Sequence, residues 1–132
     1  MATQHSTTLS VTIDAPWNRA YEFIADPTNL PHWAGAFIQA VRRVGDGWVI
    51  ETAEGSLGFR FVACNEFGVL DHLVMLPSGE EILNPMRVEP NGTGCDVLFT
   101  LYQREGMSSQ DFTEDEATVR RDLETLKQVL ES

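Results

Sequence analysis

The C-terminal end of the chain carries its clearest periodic pattern. Positions recur there at spacings of three and four, the period of an α-helix, and all but one are apolar: Phe112, Glu116, Val119, Leu123, Leu126 and Leu130. The pattern predicts an amphipathic helix over residues 109–131, with Ser108 or Ser109 as its N-terminal cap. At ~1.5 Å per residue this helix would be about 30 Å long, so we expect it to lie across the rest of a small domain.

Shorter patterns open the chain. Apolar and polar residues alternate from Leu9 to Ile13, which predicts a strand with one buried face. A helix is expected to begin at Pro16 and to end at Pro27, since proline is tolerated in a first turn and disfavours helix in the residue before it. A second, shorter helical turn is predicted over residues 28–33.

Strand and turn signals fill the middle of the chain. Five clusters rich in glycine, proline or asparagine divide it into six segments: 45–47, 54–56, 65–68, 77–79 and 90–92. Segments of about ten residues favour an antiparallel meander, because parallel strands need longer crossover connections. With the first strand this makes seven. The predicted fold class is α+β: a strand, two short helices, a six-stranded meander and a long closing helix.

Charged residues indicate which face of each predicted strand points inward, because an unpaired charge is costly to bury. Arg60, Asp71 and Arg87 are assigned to the outer face, so their neighbours in sequence are expected inside. Asp96 is assigned outward in the same way, which places Phe99 inside. The strand residues expected to share one concave space are Phe59, Phe61, His72, Asn84, Met86 and Phe99.

The outer face assigned in this way is unusually apolar. Seven of its members lie on four strands that a meander would make neighbours: Val62, Leu73, Met75, Leu83, Pro85, Leu98 and Tyr102. A contiguous exposed patch of more than a few hundred Å² usually marks an interface. We therefore predict a homodimer through this outer sheet face, unless a bulge turns several of these residues into the core.

Composition limits the choice of partners and compartment. The chain has 132 residues, and we expect a flexible tail over residues 1–8 and a single domain over residues 9–132. The 9 Lys and Arg against 20 Asp and Glu give a formal charge of −11, which argues against nucleic acid or an anionic membrane as partner. The polar start and the lack of a long apolar segment favour a cytoplasmic protein.

Cysteine usage is sparse. Cys64 and Cys95 lie in apolar runs far apart in sequence, so two buried thiols are expected rather than a disulfide. No spacing of cysteine and histidine matches a zinc site, and neither a metal nor a cofactor is predicted.

The opening of the chain resembles a known family. The runs IDAP (13–16), AYEFIADP (20–27) and LPHW (30–33) are similar to the opening of START-like proteins of the SRPBCC superfamily, including the polyketide cyclase/dehydrase group. The resemblance implies a helix-grip fold, in which a curved antiparallel sheet wraps the C-terminal helix and leaves a cavity between them. The superfamily includes cyclases, aromatases, lipid and hormone binders and chaperone activators, so the resemblance is specific for fold and not for function.

Two branches of that superfamily are disfavoured. Residues 54–58 match poorly the glycine-rich loop of plant-type ligand carriers. No histidine and cysteine cluster resembles the iron–sulfur ligands of the ring-hydroxylating oxygenases that share the fold.

Three residues are candidates for proton transfer. His72, on an inward parity between apolar neighbours, could exchange a proton with a ligand or be a core histidine paired with a neighbouring strand. Glu116 interrupts the apolar stripe of the closing helix, where it could act as an acid or base or be a solvated carboxylate at a cavity rim. Tyr21, like Trp33, is expected to frame the cavity mouth or to belong to the core. No catalytic residue is assigned.

Three functions fit these observations. We favour binding of a small hydrophobic or aromatic ligand in an internal cavity between the sheet and the C-terminal helix. The first alternative is a cofactor-free polyketide cyclase, aromatase or dehydratase, and the second is a protein-interaction module. The expected ligand-binding residues are Trp33, Phe59, Phe61, His72, Asn84, Met86, Phe99, Glu116 and Val119.

Overall fold

Eight strands and three α-helices form within residues 2–132, the part of the chain that the computed structural model describes. In chain order the elements are β1 (Ser6–Ile13), α1 (Trp17–Ala25), a 3₁₀ turn (Pro27–Asn29), α2 (Leu30–Trp33), β2 (Ala40–Val44), β3 (Gly47–Thr52), β4 (Gly55–Phe61), β5 (His72–Met75), β6 (Glu81–Asn84), β7 (Met86–Asn91), β8 (Gly94–Tyr102) and α3 (Ser109–Glu131). The α+β class and the order of helices and strands are as predicted. β1 begins earlier than the expected start at Leu9, because Ser6 already pairs with Tyr102 of β8.

The strands form two antiparallel sheets, with the orders β1-β8-β7 and β2-β3-β4-β5-β6. The prediction of one seven-stranded sheet was wrong because the segment expected as a single strand over residues 81–89 is divided at Pro85 into β6 and β7. Proline has no N–H to donate, which favours an interruption of the ladder at this position. β6 pairs with β5, and β7 pairs with β8. The chain therefore passes from one sheet to the other at Pro85.

The long helix α3 is capped at its start and attached to β1 near its end. Ser108 Oγ accepts a hydrogen bond from the Asp111 N–H at 3.0 Å, as expected for the cap. Near the C-terminus, Lys127 Nζ donates to the Thr12 carbonyl of β1 at 2.8 Å. The apolar side chains that α3 buries are Phe112, Leu123, Leu126 and Leu130. No helix within residues 2–132 combines the length and the apolar character needed to cross a membrane.

Helix α1 is joined to β7 through Trp17. Its Nε1 donates to the Val88 carbonyl at 2.8 Å, and its ring stacks on Tyr21 with centroids 5.6 Å apart. Gly68 lies against the same carbonyl with a φ of +72°, and a Cβ on it would be 2.2 Å from Val88 O. Glycine is therefore required at this position for steric as well as conformational reasons.

The apolar residues assigned to the outer face of the strands are divided between the two sheets. Leu73 and Met75 of β5 and Leu83 of β6 belong to the five-stranded sheet, where Leu73 pairs with Leu83. Leu98 and Tyr102 lie on β8 in the other sheet. The predicted adjacency of all these strands was wrong, because it assumed that β6 and β7 were one strand. A dimer through the β5–β6 face remains a proposal.

The two cysteines are free thiols with different surroundings. Cys95 on β8 is buried, as expected. Cys64 is exposed, because it follows β4 in the loop before β5 and does not lie in a strand. The prediction of a buried Cys64 was wrong.

Candidate functional site

A cavity of about 460 Å³ lies between α3 and residues of both sheets. Its lining comes from α2 and the loop after it, from the β3–β4 turn, and from β4, β5, β6, β8 and α3. The apolar residues that line it include Leu30, Trp33, Ile38, Leu57, Phe59, Phe61, Val74, Ile82, Phe99, Leu101 and Val119. The wall of the cavity is therefore largely apolar and includes several aromatic rings.

His72 lies at the centre of an aromatic cluster on this wall, made with Phe59, Phe61 and Phe99. Its ring stacks on Phe59 at a centroid distance of 5.1 Å and meets Phe61 edge-on at 5.5 Å. The ring of Phe99 on β8 is tilted relative to the His72 ring, and their centroids are 5.5 Å apart. The register of β4 with β5 places Phe61 opposite His72, which explains the contact between neighbouring strands.

The hydrogen bond of His72 defines its protonation. Nδ1 is 3.0 Å from the Leu70 carbonyl oxygen, and since a carbonyl can only accept, Nδ1 carries the proton. The side chain is buried, with 6% exposure, and burial lowers the pKa of His72 to about 4. The ring is therefore neutral at pH 7, and Nε2 is a hydrogen-bond acceptor without a partner among residues 2–132.

Asp122 is a buried carboxylate on α3 that also lines the cavity. Its exposure is 6%, and Oδ1 accepts a hydrogen bond from the Ala36 N–H in the loop after α2 at 3.0 Å. Burial raises the pKa of Asp122 to about 6, against the lowering effect of the Ala36 hydrogen bond. At neutral pH the group is mainly ionised, and Oδ2 accepts no hydrogen bond from any residue that the structure describes.

Trp33 of α2 supplies a third polar group without a partner. Its side chain lines the cavity and is 4% exposed. Nε1 is buried and has no hydrogen-bond acceptor within residues 2–132. Buried N–H groups are usually paired, so this indole is unusual for a protein interior.

The mouth of the cavity is acidic. The lining residues that are also exposed to solvent include four carboxylates: Glu54 of the β3–β4 turn, and Asp111, Glu114 and Asp115 of α3. We call these four the acidic mouth. Burial raises the pKa of Asp115, with Arg104 opposing this effect.

Seven of the nine residues expected to bind ligand line the cavity: Trp33, Phe59, Phe61, His72, Asn84, Phe99 and Val119. Met86 and Glu116 do not. Met86 is fully buried in the core, where its N–H donates to Asp71 Oδ1 at 2.9 Å. Glu116 lies in a shallow depression on the other side of α3, beside Arg120.

Tyr21 lies outside the cavity as well. Its hydroxyl accepts a hydrogen bond from the Asn65 N–H at 3.0 Å, and its ring stacks on Trp17. In this structure Tyr21 therefore connects α1 to the loop before β5.

The residues of α3 that face the cavity form a polar stripe. Asp111, Asp115, Thr118 and Asp122 recur at helical spacing, one position before the stripe that the sequence pattern selected. Asp122 is not part of the apolar stripe, because it is charged and its neighbour Leu123 occupies the stripe.

No family model matches the chain, and no curated protein matches its sequence. Solved structures match almost all of it. An uncharacterised protein from Bacillus thuringiensis superposes with a TM-score of 0.76 and 15% identity, over 96% of this chain and 98% of that chain.

Two other solved structures indicate which fold this is. A START superfamily protein from Mycobacterium smegmatis has a TM-score of 0.74 at 11% identity, over 96% of this chain and 97% of that chain. The di-domain ARO/CYC protein BexL has a TM-score of 0.71 at 17% identity, over 94% of this chain and 45% of that chain. At such identities the similarity establishes the fold. This chain has the START-like fold that its opening motifs implied.

Proposed function

We propose that this protein binds a small apolar or aromatic molecule in the cavity between α3 and the sheets. The observation that carries the proposal is the cavity itself, whose volume is about 460 Å³. Small-molecule sites typically measure roughly 300–1,000 Å³ and combine apolar walls with a few polar groups. The cavity meets both criteria.

The aromatic cluster supplies the binding surface. Phe59, Phe61, Phe99 and the neutral ring of His72 line the same space and offer faces and edges to a planar ligand. Apolar burial contributes about 2.5 kcal/mol per 100 Å² of ligand surface, before the loss of translational freedom is subtracted. A ligand with one or two rings would therefore bind through this wall.

The fold supports the same conclusion at a coarser level. Proteins with this fold include one described as a START superfamily protein and one described as an ARO/CYC protein. A ligand-binding or cyclase-like role accords with both. The presence of an internal cavity gives no support to the alternative of a protein-interaction module with a closed core.

The proposal is tested by blocking the cavity. Val119→Trp places an indole on the cavity side of α3, and Ala117→Trp places the same group on the exposed outer side of that helix. We expect 1-ethylnaphthalene to bind the wild type and Ala117→Trp, measured by naphthalene fluorescence, and not Val119→Trp. Native mass spectrometry of freshly purified protein should show a small molecule lost in the same variant. Equal binding to both variants would contradict the proposal.

Cofactor-free cyclase or dehydratase chemistry is the second candidate. It is favoured by two buried titratable groups on one cavity, the His72 imidazole with an open Nε2 and the Asp122 carboxyl. A neutral imidazole can accept a proton, and the minor protonated fraction of Asp122 at neutral pH can donate one. Turnover of a linear poly-β-ketone that is lost in His72→Asn, with ligand binding retained, would establish catalysis.

A further inference from the structure

The polar groups of the cavity define what a ligand must offer in return. This inference rests on the proposed function, and it concerns the charge of the ligand. Of the three unpaired atoms on the cavity residues, Trp33 Nε1 is a donor, and Asp122 Oδ2 and His72 Nε2 are acceptors, since Oδ1 and Nδ1 are already used by Ala36 and Leu70. The two acceptors determine the charge that a ligand can carry. A ligand that satisfies them must carry hydrogen-bond donors.

Of the two acceptors, Asp122 places the stronger requirement on the ligand, because it is charged. A carboxylate with 6% exposure is costly to keep ionised without a cation beside it. The four ion pairs within residues 2–132 use Glu51, Glu81, Glu80 and Glu131, and none includes Asp122. Arg121, its neighbour in sequence, lines the shallow depression on the other side of α3; its charge lowers the pKa of Asp122, but the effect of burial is larger and the two groups form no ion pair. No cation of the described chain pairs with this carboxylate.

The acidic mouth adds to the same electrostatic preference. Four carboxylates surround it, and Arg104 is the one arginine or lysine among the described lining residues. Arg104 Nη1 lies 3.6 Å from Glu80, so its charge is partly neutralised. Clefts lined by one sign of charge concentrate counter-ions of the other sign and repel ions of their own. Anionic ligands are disfavoured at this entrance.

We propose that the ligand of this cavity is an aromatic or apolar molecule that carries a protonated amine. The ammonium group pairs with Asp122, and the apolar part of the molecule packs against the wall formed by Phe59, Phe61 and Phe99. A second donor on the ligand, such as a hydroxyl or a second N–H, would satisfy His72 Nε2.

Three naphthalene probes of similar size test the charge directly. They are 1-naphthylmethylamine, which is a cation at pH 7.5, the neutral 1-ethylnaphthalene, and the anion 1-naphthylacetate. We expect dissociation constants that rise in that order, with the amine about tenfold tighter than the neutral probe, as a close charge pair of modest strength provides. The order in the wild type is informative whether or not any variant folds.

Asp122→Asn keeps an acceptor for the Ala36 N–H and removes the charge. Glu124→Gln removes one charge from the exposed side of the same helix and is the matched control. We expect Asp122→Asn to lose the preference for the amine, so that its dissociation constants for the amine and for 1-ethylnaphthalene become similar. Glu124→Gln should keep the preference.

Each contrary result has a separate meaning. Equal affinity for the amine and the neutral probe, tighter binding of the acetate, or equal losses in the two variants would overturn the assignment of a cationic ligand and leave the proposed function standing. Failure of all three probes to bind would overturn both.

Discussion

Asp122 of α3 accepts a hydrogen bond from the backbone N–H of Ala36 at 3.0 Å. The contact links the long helix to the loop after α2, and both segments line the cavity. The carboxylate therefore connects two segments of the cavity wall, and its second oxygen remains unpaired. Its burial has consequences for stability that can be measured without knowledge of the ligand.

Asp122→Asn is expected to stabilise the protein above neutral pH. The pKa of the folded carboxyl is about 6, raised from 3.8, so its contribution to stability is fully present below pH 3.8 and is lost as pH rises through about 6. At ~1.4 kcal/mol per pKa unit, the loss at pH 8 is about 3 kcal/mol. Asparagine does not titrate, so the variant should exceed the wild type by a similar amount at pH 8, and the gain should shrink toward pH 4.

Urea unfolding at both pH values provides the measurement, with Glu124→Gln as the control for a change in net charge. A pH-independent difference between Asp122→Asn and the wild type would show that the buried carboxyl does not titrate as described.

His72 should act in the opposite direction. Its folded pKa of about 4 lies below the ordinary 6.5, so the stability that it contributes is present above pH 6.5 and is lost as pH falls through 4. The loss approaches about 3 kcal/mol. His72→Asn retains a donor for the Leu70 carbonyl and removes the titration. We expect the variant to lose less stability than the wild type between pH 7 and pH 4, in urea melts; equal losses would contradict the burial of a neutral ring.

Leu123 tests whether α3 is packed against the sheets. The side chain is 2% exposed, and Leu123→Ala should lower the free energy of unfolding by ~2–5 kcal/mol. Glu124→Ala, on the exposed side of α3, should change it by less than about 0.5 kcal/mol. A loss below about 1 kcal/mol for Leu123→Ala would mean that the helix is not held as described.

Gly68→Ala should disturb the junction of α1 and β7. The new Cβ would lie 2.2 Å from the Val88 carbonyl, which accepts the Trp17 hydrogen bond. Gly92 has a similar φ of +58° but open space around it, so Gly92→Ala isolates the conformational cost of roughly 1–3 kcal/mol. We expect Gly68→Ala to cost more than Gly92→Ala and to change the near-ultraviolet circular dichroism of Trp17. Equal costs would contradict the steric argument.

The proposed homodimer is tested by sedimentation at micromolar concentration. Leu73 pairs with Leu83 across β5 and β6, and Leu83 is 46% exposed. We expect the wild type to sediment as a dimer and Leu73→Glu as a folded monomer, since a charge on an apolar interface is costly. Leu98→Glu, on the other sheet, should remain dimeric. A monomeric wild type would end the proposal.

Much of the fold could be predicted because its elements follow local periodicity. The stripe of α3 and the alternation in β1 are properties of neighbouring residues, and the parity around Arg60 and Asp71 placed Phe59, Phe61 and His72 on the cavity wall. The passage between sheets at Pro85 could not be predicted, because it depends on which distant strands pair. Proline is compatible both with an interruption of the ladder and with an edge strand, so the local sequence around Pro85 does not distinguish between them.

The polar half of the site was missed for a different reason. A helix face that lines a water-accessible cavity has the same composition as one that faces bulk solvent, so Asp115 and Asp122 could not be distinguished from surface residues by pattern alone. Glu116 was selected because it interrupts an apolar stripe, yet it lies on the outer side of α3. Only the position of the loop around Ala36 identifies the buried carboxylate.

Intermolecular nuclear Overhauser effects between 1-ethylnaphthalene and labelled protein test the binding site most directly. If the ligand occupies the cavity, the naphthalene protons will show cross-peaks to the Val119 methyl groups and to ring protons of Phe59 and Phe99, which line it. Cross-peaks confined to Ala117 and Arg120 on the outer side of α3, or no cross-peaks at saturating probe, would contradict an internal ligand site.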